Sequence, residues 1–119
     1  IWKGEGSTIV NDDMLALRTD KKGITAYNIP MYQYIDFQRS VELNGIFLIS
    51  QSKVNFIRPI SGAQAALRLA SNTISQPSSE VVAKEHISNV GLVASKVPIF
   101  ELGFKPDSDI VSMVRNLNL

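Results

Sequence analysis

The sequence predicts an α/β or α+β domain, in which a mixed β-sheet with β-hairpins is covered by about three helices. Three observations carry this prediction. Short apolar runs bounded by turn residues fill the first half of the chain, two segments with helically spaced apolar residues follow, and a last strand and helix end the sequence. Strands mixed with helices in this way must pack in layers to bury their apolar faces.

Length and composition predict one folded domain over residues 1–119. The chain is 45% hydrophobic and 19% charged, which is typical of a globular protein. At this size roughly two thirds of the unfolded surface can be buried, so a core without covalent staples is feasible. The sequence contains no cysteine, which excludes disulfides, thiolate nucleophiles and Cys-built zinc sites.

Charge and hydropathy limit the expected partners. Twelve basic and eleven acidic residues leave a formal net charge of +1, without a long run of either sign to follow a phosphate backbone. We therefore expect no nucleic-acid partner. The longest apolar stretches, such as Gly45–Ile49, are far shorter than the ~20 residues that span a bilayer, so we expect no membrane span. The absence of cysteine is compatible with the cytoplasmic location that we expect.

The first half of the chain predicts strands. We expect one strand over Ser7–Val10, and an antiparallel hairpin formed by Met14–Arg18 and Gly23–Tyr27. Ile46–Ile49 is apolar at consecutive positions, as in a strand covered on both faces, so we expect it to be central. Val54–Arg58 should pair with it as a hairpin. Residues 31–44 have no clean period and predict a loop, whose aromatic side chains could stack a base or sugar but more often pack for stability: Tyr27, Tyr32, Tyr34 and Phe37.

The second half predicts helices. Ser61–Gln64 has the form of a capping box, so a helix should begin there, and Pro77–Ser79 should begin another. Pro98–Phe104 alternates as a strand does, and a last helix should follow Pro106. The side chains expected to face inward are Ala63, Ala66, Leu67, Ala70 and Ile74 in the first helix, Ala83, Ile87, Val90 and Ala94 in the second, Phe100, Leu102 and Phe104 in the strand, and Ile110, Val114 and Leu117 in the last helix.

Two adjacent carboxylates, Asp12 and Asp13, follow the predicted Ser7–Val10 strand. If both aim at one point, they could hold a hard cation such as Mg²⁺ or accept a proton. Neighbouring strand residues point to opposite faces, so this requires the strand to bend or end there. The alternative is a solvated turn, in which Asn-Asp-Asp is common because of local hydrogen bonds, and the residues alone favour it.

Other candidate residues carry weaker signals. Gly4–Thr8 looks like a phosphate loop but lacks the lysine and the following helix, and the motif G-x-x-x-x-G-K-[ST] does not occur in the 119 residues. His86 is expected at a surface or boundary position. The arginines could clamp a phosphate, although nothing in the sequence selects among Arg18, Arg39, Arg58 and Arg68.

The order of motifs resembles one family. Gly6–Arg18 and Ala26–Pro30 resemble the C-terminal kinase domain of HPr kinase/phosphorylase-like proteins, whose nucleotide-binding fold is shared with phosphoenolpyruvate carboxykinase. There a "t-i-l-x-D-D" strand precedes a hairpin ending near "Y-g-x-P" and a "g-I-f-f-L" strand, which Gly45–Ile49 resembles. Ile57–Ser61 is similar to the family's turn into an Ala/Leu-rich helix, and Val97–Leu102 to its "v-P-v-y-x-L" strand.

This resemblance covers nearly the whole chain and implies a function. Asp12 and Asp13 would occupy the acidic positions that bind Mg²⁺ and assist phosphoryl transfer from ATP to a serine of a protein substrate. The family's phosphate loop and helix should precede Ile1, so the chain alone is expected to be nearly inactive as a kinase. The alternatives are a non-catalytic interaction module that keeps the fold, or an accessory protein of a peptide-modifying gene cluster.

Exposed apolar surface is also expected where the family's phosphate-loop helix and its strand would pack. Ile1-Trp2 resembles the tail of the family's phosphate-loop helix. Without that helix and its strand, the region of Trp2, Ile9 and Phe47 should remain exposed. Such a patch favours self-association, so we expect a homodimer or larger assembly.

Overall fold

The computed structural model describes residues 1–29, 39–73 and 78–119. Within these ranges the chain forms six strands and three helices, and the strands make two three-stranded sheets. The predicted mixed α and β fold is thereby confirmed. In chain order the elements are β1 (Leu15–Thr19), β2 (Ile24–Asn28), β3 (Ser40–Glu42), β4 (Ile46–Gln51), β5 (Phe56–Ile60), α1 (Gly62–Ala70), α2 (Glu80–Lys96), β6 (Ile99–Phe104) and α3 (Asp109–Arg115).

The first sheet is antiparallel, in the order β1-β2-β3. The predicted β1–β2 hairpin is confirmed, with Leu15 opposite Asn28 and Thr19 opposite Ile24. Its turn is closed by the Asp20 carboxylate, which accepts hydrogen bonds from the amides of Lys22 at 2.7 Å and of the next residue at 3.1 Å. Short polar side chains favour turns because they can replace a backbone acceptor in this way.

Strand β3 corrects the prediction of a loop over residues 31–44. Its three residues pair with β2, with Ser40 opposite Tyr27 and Glu42 opposite Thr25. A three-residue strand is too short to show a period, so the pairing partner and not the local pattern makes it a strand. The predicted aromatic contacts of Tyr32, Tyr34 and Phe37 lie outside the described residues.

The predicted strand over Ser7–Val10 does not form. Residues 7–9 lie in no helix or strand, and a bend follows at Val10. An isolated β-like run is stable only when another strand supplies its backbone hydrogen bonds, and this run pairs with none of the described strands. The side chains of Ile9 and Val10 are half-buried without it.

The second sheet has the order β4-β6-β5, with β4 parallel and β5 antiparallel to β6. The prediction that β4 is central is therefore wrong, as is the predicted β4–β5 hairpin. The last strand in the chain, β6, lies between them. Ile49 of β4 is 70% exposed, whereas Ile99 and Leu102 of β6 are buried. A run of apolar residues indicates that a strand is buried on average, but it does not indicate which strands lie beside it.

Helices cover both faces of the second sheet. On one face, α1 and α2 pack on a core that also takes in Ile24 of the first sheet. On the other face, α3 buries Ile110 and Val111 against Leu102. None of the helices in the described ranges is long and apolar enough to cross a membrane. The buried residues of the first core are Ile24, Leu48, Ala65, Leu69, Val90, Val93, Val97 and Ile99.

The helix positions were predicted more accurately than their inward faces. Ser61 and Ser79 precede α1 and α2 as expected, but only the Ser79 hydroxyl accepts a capping bond, from the amide of Val82 at 3.3 Å. In α1 the buried residues are Ala65 and Leu69, and in α2 they are Val90 and Val93. Three of the predicted inward residues are exposed, namely Ala63, Leu67 at 73% and Ile87 at 69%. Ile74 lies outside the described residues.

Candidate functional site

The predicted acid pair lies on a turn that we call the acidic turn, residues Asn11 to Met14. The side-chain oxygen of Asn11 accepts hydrogen bonds from the amides of Asp13 at 2.7 Å and Met14 at 3.0 Å. Its side-chain nitrogen donates to Oδ1 of Asn28 at 2.9 Å. Both carboxylate residues, Asp12 and Asp13, are exposed. One asparagine therefore shapes the acidic turn and ties it to β2.

The hairpin register explains where the acidic turn lies. Leu15 begins β1 and pairs with Asn28 at the end of β2, so the residues just before Leu15 lie beside Asn28. The acidic turn is thus at the open end of the hairpin, and Asp20 is at its closed end. The prediction that the carboxylates end a strand is wrong, since they precede one. The alternative drawn from local hydrogen bonding describes their backbone correctly.

The acidic turn supplies two adjacent exposed carboxylates. Carboxylate oxygens are the ligands that Mg²⁺ prefers, and Mg²⁺ requires an octahedral set of them, usually completed by water and substrate phosphates. In the described ranges, no group of three or more His, Cys, Asp or Glu residues is placed to hold a metal. Asp12 and Asp13 could therefore contribute part of a magnesium site, and the remaining ligands would have to come from a nucleotide, water or another segment.

Two of the candidate arginines are turned towards one carboxylate in the second sheet. Glu101 lies on β6, and its oxygens are 4.0 Å from Nε of Arg58 and 3.7 Å from a guanidinium nitrogen of Arg68. Arg18 instead lies over the ring of Tyr27, 5.9 Å from its centroid. Arg58 of β5 and Arg68 of α1 therefore face Glu101, whereas Arg18 faces Tyr27 across the hairpin.

The glycine-rich segment at the start of the chain forms a turn and not a helix N-terminus. The guanidinium of Arg115, at the end of α3, donates to the carbonyl of Glu5 and lies 3.4 Å from the Ser7 hydroxyl. Gly6 has a φ of 76°, a backbone conformation that glycine adopts without strain. This agrees with the reading of the segment as a loop without anion-binding geometry.

His86 lies at the boundary position that was predicted. It is half-buried on α2, and its Nε2 atom is 3.1 Å from the hydroxyl of Thr73. That hydroxyl is also 2.9 Å from the carbonyl of Ala70, to which it donates. The pair therefore joins the end of α1 to α2, which is a packing role.

Sequence reasoning missed an open apolar cavity of about 300 Å³ on the face of the second sheet that α3 covers. Two of its residues, Trp2 and Phe47, belong to the patch predicted to be exposed, but Ile9 does not line it. The alternation of side chains along β4 could have indicated the cavity, because Phe47 and Ile49 fall on the same face of a strand. The cavity is lined by Trp2, Phe47, Ile49, Leu102, Phe104 and Ile110.

The chain matches no protein-family model, no curated protein and no solved structure.

Proposed function

We propose that the chain is the part of an HPr-serine-kinase-like domain that supplies the acidic residues of an ATP and Mg²⁺ site. The observation that carries the proposal is the acidic turn. Asn11 fixes its backbone through two amides and anchors it to Asn28, while Asp12 and Asp13 remain exposed. Carboxylates held on a fixed backbone next to solvent are suited to receive a hydrated cation.

The order of the elements also supports the proposal. The hairpin follows the acid pair, β4 coincides with the Gly45–Ile49 motif, α1 begins directly after Ile57–Ser61, and β6 coincides with the Val97–Leu102 motif. The hairpin, β4, α1 and β6 therefore lie where their motifs imply them, whereas the strand that the resemblance implies before the acid pair, over Ser7–Val10, does not form.

In the proposed reaction, this chain provides charge and proton acceptance. One carboxylate of the Asp12 and Asp13 pair would hold Mg²⁺, and the other would accept the proton of the attacking serine hydroxyl of a protein substrate. ATP would supply the γ-phosphoryl group to the serine oxygen and leave as ADP, and Mg²⁺ would neutralise the negative charge of the phosphates. A glycine-lysine phosphate loop, which the 119 residues do not contain, would have to come from another segment. We place this activity in the cytoplasm.

A second candidate function is a non-catalytic interaction module or an accessory protein of a peptide-modifying gene cluster. The apolar cavity favours it, because an exposed apolar surface is typical of a binding site. The coding sequence immediately upstream of Ile1 separates the two functions. A G-x-x-x-x-G-K-[ST] motif there supports the kinase, whereas its absence from the whole gene supports the interaction module.

Titration with Mg²⁺ and with ATP, followed by amide NMR shifts, tests the kinase proposal on the isolated chain. We expect Mg²⁺ to shift the amides of Asp12 and Asp13 with an affinity in the range of about 1 mM or weaker, since two carboxylates fill few of the coordination positions. The double variant Asp12→Asn, Asp13→Asn should lose the response. Asp20→Asn, at the opposite end of the same hairpin, is the matched control and should retain it.

Two results would contradict the proposal. One is an Mg²⁺ response that persists in the double variant, because the cation would then bind elsewhere. The other is submicromolar binding of ATP by the isolated chain, because the proposal assigns the phosphate-binding donors to another segment.

A further inference from the structure

Strand β4 has an outer edge without a backbone partner in the part of the chain that the structure describes. The amide of Ile46 donates to the carbonyl of Pro98, just before β6, at 3.0 Å. The amide of Ser52 donates to the carbonyl of Phe104, at the end of β6, at 3.1 Å. Because β4 and β6 are parallel, alternate residues of β4 use their backbone groups towards β6. The backbone groups of Phe47, Ile49 and Gln51 therefore point away from the sheet. We call these three residues the β4 edge.

The two edges of the second sheet differ in their protection. At the opposite edge, β5 contains Arg58 and Pro59, and a charged residue or a proline prevents another strand from pairing. Strand β4 has the sequence IFLISQ, without a charged residue, a proline or a glycine. Natural sheets usually block such an edge, so an unblocked one indicates a strand that accepts a partner.

We propose that the β4 edge pairs antiparallel with the β4 edge of a second copy of this chain, about a two-fold axis at Ile49. Outward-facing residues of two antiparallel strands exchange both of their backbone hydrogen bonds. With the axis at Ile49, this residue pairs with its own copy, and Phe47 of each chain pairs with Gln51 of the other. The two sheets then form one continuous sheet, and the interface is the same on both chains.

Charge and apolar surface favour a second copy as the occupant. Strand β4 has no charged residue, and Lys53 lies beyond its end, so no like charges meet between the paired strands. The side chain of Ile49 is 70% exposed and would contact its own copy. Directly opposite side chains in a sheet are about 5 Å apart. The pairing would also extend the sheet beside the apolar cavity, where Trp2 is 38% exposed.

Sedimentation equilibrium tests the pairing, and its result does not depend on the kinase proposal. The wild-type chain is expected to reach twice its 13.1 kDa mass as its concentration rises. Ile49→Lys places two lysines opposite each other at the axis and should raise the dimer dissociation constant about tenfold or more. Leu67→Lys is the matched control, because Leu67 is 73% exposed on α1, which covers the opposite face of the second sheet from Ile49. It should leave the constant unchanged.

Hydrogen exchange distinguishes this dimer from one formed by another surface. The amides of Phe47, Ile49 and Gln51 should exchange more slowly as the wild-type concentration rises, whereas in Ile49→Lys they should not. Circular dichroism of both lysine variants verifies that they fold. A wild-type chain that stays monomeric at its highest soluble concentration overturns the proposal. So does a dimer that Ile49→Lys does not weaken, or one in which the three amides exchange at the monomer rate.

Discussion

At the scale of single residues, two side chains fix the two ends of the β1–β2 hairpin. Asn11 accepts hydrogen bonds from two amides at the open end, and Asp20 does the same at the closed end. The two side chains differ in charge, because Asp20 is titratable and Asn11 is not. The amides of Lys22 and Gly23 stabilise the ionised Asp20 carboxylate and hold its pKa below the usual 3.8.

Acidification should therefore loosen the closed end of the hairpin. Since the folded-state pKa of Asp20 is lowered, its contribution to stability is present above pH 3.8 and is lost as the pH falls through the folded-state pKa. An NMR titration should show the Asp20 carboxyl titrating below pH 3.8, with the amides of Lys22 and Gly23 shifting together with it. In Asp20→Asn these amides should be insensitive over the same range. A carboxyl that titrates above pH 3.8 would contradict the assignment.

At the scale of elements, the contact between β5 and β6 depends on a glycine. Gly103 is buried on the central strand β6, directly opposite Phe56 of β5. A Cβ atom added at Gly103 would overlap the ring of Phe56. That ring is in turn covered by the guanidinium of Arg58, 4.4 Å from its centroid. The absence of a side chain at Gly103 is what lets the ring lie flat across the strand.

Two glycine substitutions should have opposite effects on stability. Gly103→Ala forces the Phe56 ring aside and should lower the free energy of unfolding by about 1–3 kcal/mol, as overpacking does. Gly91→Ala adds a methyl group on α2, where nothing lies within 4 Å, and should raise it by up to about 1 kcal/mol. Urea denaturation measures both. Equal effects of the two substitutions would contradict the proposed overlap.

At the scale of the whole molecule, one core joins the two sheets. Ile24 belongs to β2 in the first sheet, is 2% exposed, and packs in the same cluster as Leu48, Ile99 and the helices α1 and α2. Leu43, whose amide continues the β2–β3 pairing by donating to the carbonyl of Ile24 at 2.9 Å, also packs against this core. Unfolding of the hairpin should therefore expose the core of the second sheet.

Ile24→Ala should destabilise both sheets together. Truncation of a fully buried isoleucine leaves a cavity and should lower the free energy of unfolding by about 2–5 kcal/mol. Ile87→Ala, at a position that is 69% exposed, should change it by less than about 0.5 kcal/mol. Hydrogen exchange should show β1–β2 and β4–β6 amides losing protection to the same extent in Ile24→Ala. If only the hairpin loses protection, the two sheets do not unfold cooperatively.

The sequence by itself determined the features that depend on neighbouring residues. The fold class, the β1–β2 hairpin, the starts of α1 and α2, and the alternation of β6 all follow from turn residues, caps and apolar periods within a few positions. The turn geometry around Asp12 and Asp13 was also available, because the side-chain oxygen of Asn11 accepts its hydrogen bonds from amides within three residues.

Only the tertiary structure decided which distant segments meet. It placed β6 between β4 and β5, left Ile49 exposed on the sheet edge, and turned Leu67 and Ile87 outward. It also brought Trp2 to the cavity beside Phe47. The physical reason is that a strand's hydrogen-bonding partner and a helix's buried face are set by whichever surface lies opposite, and the local sequence does not encode that surface.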